Sequence, residues 1–313
     1  MPFFSVIIPL FNKADYVSAC LESALNQSFD DYEIVIVNDG STDSSVAKVE
    51  SFTSDKIKLF HQENLGASKA RNNGVSFAKG SYIAFLDADD VWKPNHLKCL
   101  KASIDLNPSA GLYANNYSIK YSETHISPAK LDVAAFKSQP MVVDDFFKAS
   151  MHDTIVWTSA AAIKKEKFFD YGMFNPIYLS SQDLDLWIRI ALKEPIVFNP
   201  ESTMVYNKSI EGSLGKSEDN DARYILLNSF LEYEDNNTYL KKYLDLKRYG
   251  LALRTKINRE SKIYNDTLKT IDFKNLNFKQ KFLLKTPRYL LQPLNKIRPY
   301  IIKNKIYLLI FKG

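Results

Sequence analysis

The sequence predicts an α/β fold built on a mainly parallel sheet, followed by a helical C-terminal appendage. In the first 90 residues, continuous apolar runs alternate with segments of helical periodicity, as expected of strands that are covered on both faces. Helical connections between such strands place the strands parallel in one sheet. From about residue 221 onward the pattern is helical only. We therefore expect the α/β region to occupy residues 1–218 and the appendage residues 219–313.

The first four strands are predicted from apolar runs at 4–9, 33–37, 57–60 and 81–86. Further strands are predicted at 112–121 and 155–163, and helices at 67–78, from 94 to 107 and at 184–192. Asn12 is predicted to cap the first helix, and Ser41 or Thr42 the second, because these side chains accept hydrogen bonds from free N–H groups at helix starts.

The composition is that of an ordinary globular chain. Its 313 residues are 45% hydrophobic and 25% charged, which excludes a disordered or collagen-like protein. Two cysteines, Cys20 and Cys99, are too few for a disulfide scaffold or a Cys-rich zinc site, and we expect them reduced and buried. The N-terminus lacks the pattern of a signal peptide, and no apolar run is long enough to cross a membrane. We expect a cytoplasmic protein, soluble or peripheral at the inner face of the cell membrane.

Charge is distributed unevenly along the chain. Residues 273–313 contain ten Lys or Arg and no Asp or Glu, so this tail is +10, and since the whole chain is +5 the remainder is −5. Basic side chains interleaved with apolar and aromatic ones suit an anionic membrane surface. Packing on the catalytic region or on a second copy is an equal alternative. No nucleic-acid readout motif accompanies the tail, so no nucleic-acid partner is expected.

Aromatic and acidic side chains follow three of the predicted strands. In an open parallel sheet, ligands bind beyond the carboxyl ends of the strands. Phe11 can stack on a base, and Asp39 can accept hydrogen bonds from a ring N–H or a ribose hydroxyl. Asp87 and Asp89 are hard oxygen ligands that suit Mg²⁺ or Mn²⁺ on a diphosphate. Any one of these aspartates is more often a turn former, so the signal lies in their meeting at one edge.

A further carboxylate, Asp183, lies far away in the sequence. As the first acidic residue of a predicted helix, it is either an N-terminal cap or a general base brought to the cleft. Asp185 cannot share its helix face and is expected to be solvated or paired with Arg189.

Five motifs occur together in this chain, and each alone would be weak. They are Ser-Val-Ile-Ile-Pro-Leu-Phe-Asn-Lys at 5–13, Val-Asn-Asp-Gly-Ser-Thr-Asp at 37–43, Asn-Leu-Gly-Ala-Ser-Lys-Ala-Arg-Asn at 64–72, Phe-Leu-Asp-Ala-Asp-Asp at 85–90 and Gln-Asp-Leu-Asp-Leu-Trp-Ile-Arg at 182–189. In this order and at this spacing, over roughly residues 3–215, the chain resembles family 2 glycosyltransferases. The resemblance implies the GT-A fold and an inverting enzyme that depends on a nucleotide sugar, with a UDP-sugar expected.

The resemblance also implies a donor site. Phe11 would stack on the uracil, and Asp39 would bind its ring N–H. Arg71 would face the diphosphate or the aspartates, with an ion pair to Asp39 or Asp87 left open as the structural alternative. The remaining donor-binding positions implied are Pro9, Leu10, Asp87 and Ala88.

The resemblance implies a metal site and a catalytic base as well. Asp89 would ligate Mn²⁺ or Mg²⁺, Asp87 would contact ribose or metal, and Asp183 stands where the family places its catalytic base. The sequence departs from the usual pattern at three places. Gln182 replaces a glutamate, Phe11 replaces a tyrosine, and residues 206–209 lack the Arg and His of a segment that commonly lies near the metal.

The function expected from these residues is transfer of a sugar to a glycan or lipid-linked acceptor in bacterial surface polysaccharide synthesis. A nucleotidyltransferase would want a Gly-rich basic loop after the first strand, where this chain has Phe11-Asn12-Lys13-Ala14. A catalytically silent nucleotide-sugar-binding partner of a synthase remains the other alternative. The sugar, the linkage and any homo-oligomeric state are left open by the sequence.

Overall fold

The computed structural model describes residues 1–132, 139–210 and 219–293. A mixed sheet flanked by helices forms the α/β part, which confirms the predicted fold class. The strands are β1 (Phe4–Leu10), β2 (Tyr32–Asp39), β3 (Ile57–Gln62), β4 (Tyr82–Phe85), β5 (Val91–Trp92), β6 (Leu112–Ser122), β7 (His125–Pro128), β8 (Met141–Val142), β9 (Ala161–Lys164) and β10 (Ile196–Asn207).

The helices of the α/β part are α1 (Val17–Leu25), α2 (Ser45–Glu50), α3 (Ala67–Phe77), α4 (His96–Leu106), α5 (Phe146–Ala149), α6 (Lys165–Asp170) and α7 (Gln182–Ala191). Those that follow residue 219 are α8 (Asn220–Asn228), α9 (Leu231–Glu234), α10 (Thr238–Asn258), α11 (Ser261–Thr270) and α12 (Phe278–Lys285).

Strand order explains where a ligand can bind. The strands follow the order β3-β2-β1-β4-β9-β6-β10-β5, and the first four pair in parallel. The chain runs outward from β1 to β3 and then returns to place β4 on the other side of β1, so the order reverses between β1 and β4. A crevice forms at such a reversal, beyond the carboxyl ends of the strands. β9 pairs antiparallel with both β4 and β6, which makes the whole sheet mixed.

Register brings the polar strand ends level with one another. Leu10 of β1 lies opposite Asn38 of β2, so Phe11 and Asp39 emerge side by side. On the other flank Ile7 lies opposite Phe85. The segment at 87–90, which carries Asp87, Asp89 and Asp90 and is called the acidic segment below, therefore begins at the same edge of the sheet. That segment leaves β4 in the middle of the sheet and runs to β5, which pairs with β10 at the far edge.

The sheet is buried on both faces, as the continuous apolar runs predict. Alternate β1 side chains enter opposite cores: Val6 and Ile8 pack with α1, whereas Ile7 packs with α3. Helix α3 approaches so closely that a Cβ on Gly74 would stand 2.6 Å from the Ile7 side chain. Cys20 and Cys99 are buried free thiols, as expected.

Two predicted helix caps are wrong. Asn12 does not cap α1, which begins at Val17; it adopts a left-handed conformation, with φ of 49°, and its Oδ1 accepts a hydrogen bond from Thr42 N at 2.8 Å. Helix α2 begins at Ser45, three residues after Thr42 and later than a cap at Thr42 would place it. The Ser45 N–H donates a hydrogen bond to Asp43 Oδ1 at 2.9 Å. Both loops are therefore longer than predicted, and they bind each other.

Two strands differ from the sequence prediction. The run at 155–163 yields only β9, because residues 158–160 form a short 3₁₀ turn. The twelve-residue β10 was not predicted, since Pro200 interrupts its apolar pattern and its pairing with β6 shifts register between Asn199 and Ser202.

Only helices follow residue 219 in the described part of the chain, as predicted. The longest, α10, buries Arg248 against Glu234 and Asp245. The proposed boundary at residue 218 lies outside the described residues, as does the tail from residue 294 onward. None of the described helices combines the length and apolar character needed to cross a bilayer.

Candidate active site

The loops that follow β1 and β2 are tied together by hydrogen bonds. Asn12 N donates to Ser41 Oγ at 3.1 Å, Lys13 N to Ser45 Oγ at 2.8 Å, and Ala14 N to Asp43 Oδ2 at 3.0 Å. The backbone of this loop is thereby fixed while Phe11 remains 41% exposed at the carboxyl edge of the sheet. An exposed ring on a rigid loop is suited to stacking on a planar ligand.

Asp39 organises the start of α3. Its Oδ1 accepts hydrogen bonds from Gln62 Nε2 at 2.7 Å and from Leu65 N at 2.8 Å, and its Oδ2 accepts one from Gly66 N at 2.9 Å. Gly66 has φ of 86°, a conformation that favours glycine. The carboxylate is buried and shapes the turn beside Phe11, a structural part that the sequence pattern did not reveal.

The acidic segment carries two ion pairs. Arg71 Nη2 lies 2.5 Å from Asp87 Oδ1, and Lys13 Nζ lies 2.5 Å from Asp89 Oδ2. Of the two partners considered for Arg71, the structure selects Asp87. The Nε and Nη1 atoms of Arg71 are buried without a hydrogen-bond partner among the described residues. Buried donors usually have an acceptor, so these two N–H groups are an exception, while the guanidinium lies 5.5 Å from the centre of the Phe174 ring.

Negative charge is concentrated in this segment. Burial raises the pKa of the Asp89 carboxyl, against the opposing effect of Lys13, and the charge of Asp87 raises it further. Burial also raises the pKa of Asp90 well above its usual value, and Asp89 and Asp87 add to that shift. Asp87 and Asp89 each have one cationic partner, whereas the buried Asp90 carboxyl accepts hydrogen bonds from the neutral donors Ser159 Oγ and Asn207 N.

This donor set fits a divalent cation that is shared with a ligand. No group of three or more His, Cys, Asp or Glu side chains with metal-binding geometry occurs among the described residues. Mg²⁺, however, typically takes only one or two protein carboxylates and completes its shell with water and substrate phosphates. Asp87 and Asp89 can supply those two carboxylates.

Asp183 is not the N-terminal cap of α7. The cap is Ser181, in a left-handed conformation with φ of 65°, and Asp183 lies in the first turn. Its Oδ2 accepts a hydrogen bond from Thr158 Oγ1 at 3.2 Å, and its Oδ1 accepts one from Leu184 N at 2.8 Å. Asp185 pairs instead with Arg189, at 2.6 Å, which confirms one of the two expectations for it.

The turn at 158–160 joins the two ends of the site. Next to Thr158, the Ser159 hydroxyl donates to Asp90 Oδ2 at 2.6 Å and accepts from Asp87 N at 3.0 Å. Adjacent residues therefore contact Asp183 on one side and the acidic segment on the other. Sequence reasoning missed this turn, because Thr158 and Ser159 lie within an apolar run that resembles a strand.

Tyr206 is a second residue whose position the sequence pattern did not reveal. It lies on β10, with its ring 4.1 Å from that of Trp157. Burial raises the pKa of the Tyr206 hydroxyl, and further increases come from the negative charges of Asp90, Asp89, Asp87 and Asp183, in that order. The hydroxyl of this half-buried tyrosine thus lies within electrostatic reach of all four carboxylates.

The C-terminal helices add positive charge near Asp183. Burial and repulsion from Arg254 lower the pKa of Arg223 to about 10, while attraction to Asp183 opposes the shift. Burial likewise lowers the pKa of Lys247, against attraction to Asp153 and Asp183. Arg223 lies on α8 and Lys247 on α10, so the appendage contributes directly to the electrostatics of the site.

The amino-acid sequence is similar to those of known glycosyltransferases and polysaccharide synthases. An uncharacterized glycosyltransferase of Rickettsia felis is 31% identical over 237 residues, which cover 74% of this chain and 38% of the relative. The chain therefore spans less than half of that relative's length. Chondroitin synthase of Pasteurella multocida is 36% identical over 134 residues, covering 38% of this chain and 14% of the synthase.

Solved structures agree on the fold. S. aureus TarS 1-349, crystallised in complex with UDP-GlcNAc, superposes with a TM-score of 0.69 at 18% identity, over 97% of this chain and 93% of that one. The family model of glycosyl transferase family 2 matches residues 5–172, more than half of the chain. On this match and on the arrangement of the five motifs around one crevice, the chain belongs to glycosyl transferase family 2.

Proposed function

We propose that the chain is an inverting glycosyltransferase that moves a sugar from a UDP-sugar to a hydroxyl of a glycan or lipid-linked acceptor. The observation that supports the proposal most directly is the linkage of Asp183 and the acidic segment through neighbouring residues of one turn, Thr158 and Ser159. A base and a diphosphate site must face each other across one sugar, and this linkage through adjacent residues supports that arrangement.

The donor half of the proposal rests on residues that surround the crevice. Phe11 is exposed for stacking on the uracil, and Asp39 holds the turn beside it. Pro9, Leu10 and Ala88 lie at the same strand ends. Arg71 brings a positive charge to this edge through its ion pair with Asp87. The structural neighbour TarS was crystallised with UDP-GlcNAc and with UDP, which favours a uridine donor here.

Mn²⁺ or Mg²⁺ would be held by Asp87 and Asp89 together with the donor diphosphate. When bound, such an ion neutralises the charge that develops on a departing diphosphate. Arg71 and Lys13 supply positive charge at the same segment. Together they would favour binding of the diphosphate and its departure as the leaving group.

Asp183 would act as the general base. The acceptor oxygen forms a bond to the anomeric carbon as the bond from that carbon to the diphosphate oxygen breaks. The acceptor proton passes to a carboxylate oxygen of Asp183. The hydrogen bonds from Thr158 and Leu184 orient this carboxylate. A single displacement of this kind inverts the configuration, and a positioned base accelerates it by about 10²–10⁴-fold.

The proposal extends to organisation and setting. We propose a catalytic region at 1–218 and a basic helical region at 219–313, in a cytoplasmic enzyme that works at the inner face of the bacterial cell membrane on surface polysaccharide. The match to chondroitin synthase supports a polysaccharide product. We propose no nucleic-acid partner, and the appendage would serve for packing, membrane contact or assembly of copies.

The test is release of UDP from a panel of UDP-sugars in the presence of Mn²⁺, followed by NMR of the product for anomeric configuration. Asp183→Asn should bind UDP as the wild type does and lose transfer, whereas the exposed-carboxylate control Asp221→Asn should retain both. Full turnover by Asp183→Asn would remove Asp183 from its role. Donor binding without any hydrolysis or transfer would instead favour a silent nucleotide-sugar-binding partner.

A further inference from the structure

Helix α12 and the residues that follow it expose large aromatic side chains. Phe278 and Phe282 of α12 are 82% and 61% exposed, and Tyr289 shortly after it is 71% exposed. Residues four apart on a helix lie on the same face, so the two phenylalanines form one apolar ridge. Contiguous exposed apolar surface of this kind marks an interaction site more often than chance.

The ridge cannot turn inward, because the opposite face of α12 is already packed. Leu284 lies in an apolar cluster with Tyr249 and Ala252 of α10. Lys256 Nζ donates to the Leu284 carbonyl at 2.5 Å, and Arg288 Nε donates to the Ile257 carbonyl at 2.8 Å. A capping box between Asn277 and Gln280 fixes the start of the helix. The aromatic ridge is therefore a fixed outward surface.

Charge around the ridge identifies the kind of partner. Residues 273–293 contain five basic residues, with no Asp or Glu among them. These are Lys274, Lys279, Lys281, Lys285 and Arg288. The lysines that flank the ridge directly, Lys279 and Lys285, are exposed. A partner that accepts aromatic rings and also carries dense negative charge is an anionic lipid surface, where rings enter the headgroup region and lysines contact the phosphates.

We propose that α12 docks this enzyme on anionic lipid, with Phe278 and Phe282 inserted and Lys279 and Lys285 on the headgroups. The inference deepens the proposed membrane setting and rests on it, but it can be tested without any sugar transfer.

The experiment is co-sedimentation of the full chain with vesicles of phosphatidylglycerol and phosphatidylcholine, compared with vesicles of phosphatidylcholine alone. The wild type should bind the anionic vesicles and bind less as salt is added. The double variant Phe278→Ser with Phe282→Ser should lower partitioning at least about tenfold. Lys279→Gln with Lys285→Gln should lower it in anionic vesicles only.

A matched control replaces two exposed apolar residues of the catalytic region, Leu106→Ser with Ile126→Ser, which are 52% and 54% exposed. This control should bind vesicles as the wild type does. The Phe278→Ser, Phe282→Ser variant and this control both keep residues 294–313. A loss of binding in the phenylalanine variant that the control does not show is therefore attributable to α12. Unchanged thermal melting would show that the variants are folded.

Three results would overturn the proposal: a wild type that does not bind anionic vesicles, a ridge variant that binds them normally, or light scattering that shows a dimer lost in the ridge variant without lipid. The last would assign the ridge to a second copy of the chain. UDP release in solution should be the same for wild type and ridge variant, so failure of the transferase proposal is seen separately.

Discussion

The hydroxyl of Thr158 donates a hydrogen bond to Oδ2 of Asp183, with 3.2 Å between the two oxygens. The bond crosses from the turn before β9 to the first turn of α7, two segments that are separated by 25 residues. It holds Oδ2, while Leu184 N holds Oδ1, and each oxygen keeps a lone pair that can accept a further hydrogen bond. Thr158 is thus a positioning residue for the proposed base.

We expect Thr158→Val to lower kcat about ten- to a hundredfold, because a hydrogen bond to a charged group contributes about 1.5–3 kcal/mol. KM for the donor should change little, since the Thr158 hydroxyl bonds Asp183 and not Asp87 or Asp89. Steady-state kinetics on UDP release measures both. Thr124→Val, at an exposed position, is the control, and a Thr158→Val enzyme altered only in donor KM would contradict the assignment.

Stacking by Phe11 leads to a second prediction. Phe11→Ala should weaken UDP binding about 5- to 150-fold, since stacking on a base contributes about 1–3 kcal/mol. Stability should change little, because the ring is 41% exposed and belongs to neither of the two large apolar clusters. Phe169→Ala removes a ring of nearly the same exposure, 40% against 41%, far from the crevice. Isothermal titration with UDP should separate the two, and equal affinities for UDP would refute stacking.

Lys13 competes with any metal for Asp89, because its ammonium already lies on that carboxylate. Lys13→Met should raise the affinity of the donor-free protein for Mn²⁺ about tenfold, the effect of roughly 1.4 kcal/mol of relieved competition and repulsion. Free Mn²⁺ measured by electron paramagnetic resonance reports this without turnover. Lys101→Met, which breaks an exposed pair with Asp105, should leave Mn²⁺ binding unchanged. Weaker binding in Lys13→Met would refute the competition.

His96 predicts how stability depends on pH. It is fully buried, stacked on Trp92 at 4.1 Å and bonded to Thr203, and burial lowers its pKa from 6.5 to about 3. Above pH 6.5 neither state carries the proton. As the pH falls from 6.5 toward 3, only the unfolded state is protonated, so stability is lost by up to about 1.4 kcal/mol per pH unit.

Urea unfolding of the wild type and of His96→Gln, over a series of pH values between these limits, checks the prediction. The variant should lose less stability on acidification, by about 2 kcal/mol between roughly pH 7 and 5. Its absolute stability is not the readout, since the substitution also alters packing. Parallel pH profiles for the two proteins would show that His96 is not the source.

Arg248 neutralises two buried carboxylates of the appendage. Its guanidinium contacts Glu234 and Asp245, which Lys241 also reaches at 3.0 and 2.7 Å. Arg248→Met should destabilise the fold by about 3 kcal/mol, since removing one partner leaves buried charge with less compensation. Lys242→Met, at an exposed position on α10, should cost little. Calorimetry compares the melting temperatures of the two variants with that of the wild type. Equal melting temperatures for Arg248→Met and Lys242→Met would contradict the stabilising role of Arg248.

The parts of the molecule that the sequence predicted are those with a strong local signal. The strands from β1 to β4 appear as apolar runs, and Phe11, Asp39 and Asp87 come after β1, at the end of β2 and after β4, in that order. Their meeting at one edge follows from topology alone, because parallel strands end on the same side. Local periodicity and strand polarity were sufficient for this half of the site.

The rest depends on contacts between distant segments. Nothing near Lys13 indicates that it pairs with Asp89, 76 residues away. Thr158 and Ser159 sit in a run whose apolar neighbours suggest a strand, although their hydroxyls bind carboxylates. β10 was not predicted because it contains Pro200, and proline normally argues against a strand interior. The roles of Asp183, Arg71 and the metal ligands stay predictions from the resemblance, which kinetics must test.

The acidic segment is held at both ends, by β4 in the middle of the sheet and by β5 on β10 at the far edge. Its spacing therefore does not depend on the tip of the β6–β7 hairpin at 122–125, which projects beyond that span. An insertion at the tip would therefore lengthen the hairpin and leave both anchors of the acidic segment in place.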